Sequence, residues 1–455
     1  MATENDHLFQ KMPVNKAVLT LALPTVLSQM ISVIYNMADT FFIGQMNDPD
    51  QVAAATVAMP LFMVFTALSN LFGIGGSSLI ARSLGAGDRE KARKTASFCI
   101  IGASAISVAY GLLVLVLRKI LLPALGADAY SYDYAYKYVL WTVTIGTLSS
   151  VMNPLLAHLI RSEGYSKQAS IGVAFGGILN IALDPLFIFA FHLKIEGAAI
   201  ATLLSNLAAT AYFGIFLFRK RKVTTILPSF RKFTMKEGIP FEVAMVGLPS
   251  FTISFMASIS NSVLNHMVST YSNTAIAGMG IAKKINLMAF AVGQGMSQGA
   301  LPLIGYNYTA RNKERMYAAI RSTGLFSFGS AAVCTILLFF LAKPVTGLFI
   351  RDTETVQYAA QFLRTICFAC PGTALSLLAI TVFQATGRKK QPIILSLLRK
   401  GGLDVPLMFL FQSFMGINGL TLATPIADTV AAGIAMLLLL LVWKKKGLEL
   451  PEEAA

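Results

Sequence analysis

The sequence predicts an all-α polytopic membrane protein: twelve transmembrane helices in two six-helix lobes related by a pseudo-two-fold axis. Composition, a regular series of long apolar stretches and an internal repeat predict it. Of 455 residues, 55% are hydrophobic and 13% charged, and the mean hydropathy is +0.65, too apolar for a soluble chain of this length. A helix crossing a roughly 30 Å hydrocarbon core needs about 20 apolar residues. Twelve such helices leave room for short loops and no sizeable soluble domain.

The spans fall near 17–43, 52–78, 95–117, 134–158, 168–191 and 196–218, then near 241–270, 275–303, 317–341, 357–383, 392–413 and 418–442. Backbone polar groups in lipid must be satisfied within the segment, and no strand-length alternation occurs, so these are helices rather than barrel strands. The first span contains Pro24, Gln29 and Asn36, which argues against a cleaved leader.

Basic residues test the count, because Lys and Arg collect in cytoplasmic loops. Alternate assignment gives one side Lys11, Lys16, the Arg82–Lys94 group, Arg161, Lys167, the Arg219–Lys236 group, Arg311–Arg321, Arg388–Lys390 and Lys444–Lys446. The other side receives Arg118, Lys119, Lys137, Lys194, Lys343 and Arg351. Both termini are therefore expected in the cytoplasm. The net charge of +15 reports these loops rather than nucleic-acid binding.

The halves repeat at a slowly drifting offset. Leu23-Pro24-Thr25 returns as Leu248-Pro249-Ser250, Asn36 as Asn261, and Asp88 as Asn312; Gly164, Gly197 and Thr202 return as Gly387, Gly419 and Thr424. An even number of spans per half gives both copies the same orientation. The expected division is a first lobe over 1–222, a linker over 223–240 and a second lobe over 241–455.

No phosphate-binding loop, metal-ligand cluster or nucleophile constellation stands out, so neither an enzyme nor a cofactor is expected. Cys367 and Cys370 form a CxxC inside an apolar run, where small packed thiols outweigh a redox pair. The GxxxG pairs Gly172/Gly176 and Gly295/Gly299 point to close helix packing.

Intramembrane carboxylates are costly and therefore candidate functional groups. Asp39 lies about 22 residues into the first span, with Ser28, Ser32 and Asn36 on the same helical face. Asn180 and Asp184 stand one turn apart in the fifth span, where Pro185 loosens the helix. Thr202 and Asn206 repeat that spacing in the sixth. Two acids in one dry site cannot both ionise cheaply, so such a site holds a proton or a sodium ion.

In the second lobe Lys400 precedes Asp404 by one turn, suggesting a buried pair. Asp428 has no adjacent partner and is expected to be open as a counter-charge for a ligand. Lys283 and Lys284 are expected to snorkel or pair. Gln29, Ser32, Tyr35, Asn36, Met256, Asn261 and Met288, with Asp428, are expected to line one adaptable cavity.

The chain resembles the multidrug and toxic compound extrusion (MATE) family, and within it the bacterial DinF/MepA-like branch. The resemblance rests on Asp39-Thr-Phe-Phe-Ile-Gly44, Gly85-Ala-Gly-Asp88, Asn180-Ile-Ala-Leu-Asp184-Pro185, Gly197-Ala-Ala-Ile-Ala-Thr202, Gln298 through Tyr308, and Phe383-Gln-Ala-Thr-Gly387. It implies an antiporter of the cell inner (cytoplasmic) membrane that exports amphipathic, mostly cationic organic molecules in exchange for protons or sodium ions. It implies a coupling site at Asp39, Asn180, Asp184 and Thr202, with Pro24 as hinge of the first helix, and no metal beyond sodium at that site. A sodium site in the tenth span, seen in NorM-type members, is not expected, because 357–383 contains no acid, and Glu242 is too near the cytoplasmic side to replace it. Membrane lipid and small organic cations are the expected partners, without nucleic acid, and a monomer is expected. The alternative is a lipid-linked precursor flippase of the same superfamily.

Overall fold

The computed structural model describes residues 4–444 apart from 47, 129 and 351. The basic residues Arg351, Lys445 and Lys446 lie outside the described residues. A short helix, Glu4–Gln10, precedes the first span, Val14–Gly44. Single helices follow at Pro49–Gly85 and Arg89–Ala124, then a fourth span of two pieces, Tyr132–Ile145 and Thr147–Ser162, bent by 49°. The fifth is Ser166–Ala190 and the sixth Lys194–Arg219. The second half runs Ile239–Ser269, Asn273–Thr309 and Lys313–Phe340, then a tenth span of Thr353–Ile366 and Ala369–Ala385, bent by 44°.

The remaining helical stretch, Lys390–Lys444, has 55 residues, about twice what a bilayer requires. It is two spans. Gly416 has φ +60° and ψ −138°, outside any helix. The Thr424 hydroxyl donates to Asp404 Oδ1 at 2.9 Å, whereas 20 residues of straight helix span about 30 Å. The chain thus reverses at Gly416. Among the described residues this gives twelve spans, close to the expected positions and mostly longer. The sequence marked these helices through their apolar runs but not their ends, which project beyond the apolar core.

Repeat-equivalent positions are built alike. Asp88 Oδ1 caps the third span by accepting from Lys91 N at 2.8 Å, and Asn312 Oδ1 caps the ninth from Arg315 N at 3.1 Å. Gly164 and Gly387 both have positive φ, 93° and 71°. Gly87, one residue before its cap, has φ +80°, while its counterpart Arg311 is held at +57°. A side chain in that region costs roughly 1–2 kcal/mol. Arg311→Gly should therefore stabilise the protein by up to about 1 kcal/mol, after the added freedom of the unfolded glycine, measured as a rise in thermal midpoint in detergent.

Two compact units form. The first is built mainly from Ile31–Phe251 and the second from Leu8–Met30 with the described residues after Thr252. Each unit is thus completed by the first half of the helix that opens the other repeat. The division falls inside two helices, at Met30/Ile31 and Phe251/Thr252, and not in the segment 223–240.

Glycines admit both borrowed half-helices. In the first unit a Cβ on Gly75 would stand 2.1 Å from the Val243 carbonyl oxygen, and one on Gly247 2.1 Å from that of Leu71. In the second, a Cβ on Gly295 would stand 2.5 Å from Val26 Cα, and one on Gly299 2.5 Å from Ala22 Cα. The GxxxG pair at Gly295/Gly299 is therefore a helix-crossing device, as its spacing implies. The other pair, Gly172 and Gly176, receives Phe213 and Ala209 of the sixth span.

The basic segment after the sixth span is strapped to the first unit. Lys232 donates to Glu90 at 2.5 Å, Lys94 pairs with Glu237, and Glu242 meets Arg82 at 3.0 Å and Lys91 at 3.8 Å. Glu163, buried in the loop after the fourth span, accepts from Thr224 Oγ1 at 2.5 Å, Thr225 N at 2.6 Å and Thr225 Oγ1 at 2.8 Å. Burial pushes the Glu163 carboxyl above the usual range, and these donors pull it only part of the way back. The fold then binds that proton more tightly than the unfolded chain does. This contribution is greatest in acid and is lost as pH rises through the ordinary carboxylate range toward the raised value. Glu163→Gln should flatten the dependence of thermal midpoint on pH from about 4 upward; an unchanged slope would place the titration elsewhere.

Candidate ion-coupling site

The fifth span carries the centre of the first unit's site. Its regular helix, Ser166–Pro185, passes into a π-helical turn at Leu186–Ala190. Pro185 supplies no N–H and its ring displaces the preceding turn, a local reason for the wider winding. Gly197 lies against this turn: a Cβ there would stand 2.7 Å from the backbone of Phe187. That contact sets the sixth span's register and brings Thr202 level with Asn180.

Asn180 Nδ2 reaches Asp184 Oδ1 and Thr202 Oγ1, each at 3.4 Å. Asp184 is 0% exposed. The first span approaches at Gly177, where a Cβ would stand 2.9 Å from the Tyr35 ring and 3.0 Å from Ile31. One turn beyond Tyr35, half-buried Asp39 lies near enough to act on Asp184 electrostatically, and buried Tyr138 lies within electrostatic range of both.

The unmet oxygens define what this arrangement can do. Among the described residues Asp39 Oδ1, Asp184 Oδ2 and Asn180 Oδ1 are buried without a hydrogen-bond partner. Such acceptors are costly in a dry interior. Asp184, Asn180 and the Thr202 hydroxyl thus bring oxygen atoms together, with Asp39 in electrostatic range, a chemistry that suits a proton or a hard monovalent cation. Sequence reasoning named these four residues; Tyr138 it missed, although an aromatic hydroxyl in the fourth span was visible.

The residues expected to line one cavity come from both units. Ser32, Tyr35 and Asn36 belong to the first unit, where Asn36 Nδ2 turns back to Ser32 O at 2.6 Å. In the second unit Gln29 donates to Gln298 Oε1 at 3.1 Å. Asn261 and Asp428 do share a cavity, of 220 Å³, within that unit. Met256 lies beside its wall against Gly401, and Met288 is not among its lining residues.

The expectation for Asp428 requires correction. It is not open: Arg399 Nε donates to its Oδ1 at 2.7 Å and Arg399 Nη2 to its Oδ2 at 3.3 Å, with the Thr373 hydroxyl on Oδ2 at 2.8 Å. The partner comes from the preceding span, beyond the one-turn spacing by which Lys400 was matched to Asp404. That shorter pair is present, at 3.0 Å. Lys283 is paired as expected, donating to Asn261 Oδ1 at 2.7 Å.

Comparison with known proteins agrees with this architecture. A family model described as MatE matches residues 24–186 and 249–410, one match per repeat. "Multidrug export protein MepA" of Staphylococcus aureus (strain MSSA476) is 30% identical over 443 residues, 97% of each chain. Its namesake in Staphylococcus saprophyticus (strain ATCC 15305) is 30% identical over 442 residues, again 97% of both. Among solved structures, the "outward-facing conformation of a multidrug resistance MATE family transporter of the MOP superfamily" superposes with a TM-score of 0.91 at 26% identity, covering 98% of each chain.

Fold, buried acids and relatives together define a multi-pass membrane transporter rather than an enzyme. The chain belongs to the MatE family, the multidrug and toxic compound extrusion family that its motifs resemble.

Proposed function

We propose that the protein is a secondary antiporter of the cytoplasmic membrane, with both termini in the cytoplasm, exporting amphipathic and mostly cationic organic molecules in exchange for protons or sodium ions. The names of its relatives support the export of drugs. The carrying observation is Asp184, fully buried within a span and linked through Asn180 to Thr202, with Asp39 acting on it electrostatically. Asp39, Asn180, Asp184 and Thr202 bind the coupling ion. Entry of one charge down the membrane potential yields about 2.3 kcal/mol per 100 mV.

Ion binding relaxes the first helix about Pro24, the site of a missing backbone donor in that helix, and lowers affinity for the exported cation. Alternating access of the two lobes completes the cycle. The working species is a monomer in lipid that needs no cofactor beyond the coupling ion. The acidic character of the site favours cationic cargo over the pyrophosphate of a lipid-linked precursor.

Efflux of a cationic dye from proteoliposomes, under an imposed pH gradient and then an imposed sodium gradient, tests the reading. One gradient should accelerate dye movement at least several-fold. Dye movement indifferent to both would overturn it, as would tighter binding of an anionic lipid precursor than of the dye.

A further inference from the structure

The second unit handles the repeat-equivalent position in the opposite way. Thr424, the counterpart of Thr202, donates to Asp404 Oδ1 at 2.9 Å. Four residues before Asp404, where the first unit has the neutral amide of Asn180 before Asp184, stands Lys400. Its ammonium lies 3.0 Å from Asp404 Oδ2 and 3.6 Å from Asp428 Oδ1. The π-helical stretch Leu398–Asp404 presents Arg399 beside it. This repeat carries its cations covalently.

The 220 Å³ cavity is lined by these four charged residues and by Lys283, so its wall has one positive charge in excess. Its carboxylate acceptors are used, while one guanidinium donor is not. Every carboxylate oxygen of Asp404 and Asp428 receives a donor: Ser260 and Lys400 share Asp404 Oδ2, Thr424 takes Oδ1, and Arg399 and Thr373 serve Asp428. Arg399 is 3% exposed, and its Nη1 is buried without a hydrogen-bond partner among the described residues. Lys283 meets a neutral amide oxygen rather than an acid. A buried guanidinium nitrogen with no acceptor is a costly feature unless a ligand supplies one.

Asn286 and the hydroxyl residues already named share the rest of the wall with apolar side chains, including Leu287, Phe290 and Ile366, and the Phe290 ring lies 5.9 Å from the Arg399 guanidinium carbon. An apolar cavity of about 150 Å³ holds benzene, so the space here accommodates one ring and a small charged group. We propose that this cavity of the second unit binds a monoanionic organic group, a carboxylate carried on about one aromatic ring. The carboxylate faces Lys283 and the Arg399 side chain, and the ring lies against Phe290 and Leu287. This ligand site is separate from the coupling site and does not depend on the transport reading.

Titration calorimetry on the full-length protein in nanodiscs tests it, without any ion gradient. Benzoate should bind at one site per chain, and benzamide, equal in shape but uncharged, at least tenfold more weakly. Lys283→Gln keeps a polar amide at this position and removes the excess charge, so it should weaken benzoate at least tenfold and leave benzamide unchanged. Arg399→Leu/Asp428→Leu, which removes the unpartnered donor at constant net charge, should also weaken benzoate. Equal affinity for benzoate and benzamide, no benzoate binding, or Lys283→Gln binding like the parent would overturn the proposal. Displacement of benzoate by chloride at equal concentration would show an inorganic-anion site and overturn the assignment of an organic ligand.

Discussion

Asp184→Asn, reconstituted in proteoliposomes, should show drug-driven proton or sodium flux no greater than protein-free vesicles. The substitution is nearly isosteric and the position is wholly buried, so the change is one of charge rather than shape. An amide cannot take up a proton, and it leaves Asp39 as the one acid of the four-residue set. Antiport requires that ion and cargo weaken each other's binding by a reciprocal coupling of about 1 to 3 kcal/mol, roughly 5- to 150-fold in affinity. That coupling should vanish. The thermal midpoint should hold or rise, because a buried amide is cheaper to desolvate than a carboxylate. Normal coupled flux in a folded Asp184→Asn protein would remove this residue from the mechanism.

The largest loss of stability is expected at Arg399. Replacing it with Met leaves the Asp428 carboxylate buried, held by the Thr373 hydroxyl and by Lys400 at 3.6 Å. Breaking one side of a buried ion pair costs about 3 to 5 kcal/mol, whereas replacing both partners with apolar residues is often neutral. Arg399→Met should therefore sharply reduce folded yield and thermal midpoint, and Arg399→Leu/Asp428→Leu should recover most of both. Lys400 softens the single loss without cancelling it, since it also serves Asp404. A double variant as unstable as the single one would show that side-chain shape, not the pairing of charges, holds these two spans together.

The sequence carried the spans because lipid imposes length and polarity on every crossing helix. It carried the repeat because equivalent turns demand equivalent residues, as the caps Asp88 and Asn312 do. The same offset would have revealed the strained Arg311 through its counterpart Gly87. The grouping of Asn180, Asp184 and Thr202 was legible because one-turn spacing and adjacent spans place such residues together. The bond between Arg399 and Asp428 was not, since one-turn spacing cannot reveal a pair joined across a reversal at Gly416. Nor could hydropathy tell which unit receives each half of the first helix: both halves are equally apolar, and the decision lies with backbone contacts at Gly295 and Gly299.

The exchange of half-helices also bears on biosynthesis. As the chain leaves the ribosome, the helix around Pro24 is made first, yet its natural neighbour at Gly295 and Gly299 is made some 270 residues later. Until then Leu8–Met30 must wait in the bilayer or at the insertion machinery, its packing face covered by something transient. The first unit closes sooner, once residues through Phe251 have been inserted. Assembly is therefore ordered, and truncation after the sixth span would leave both units unfinished rather than yield one intact half.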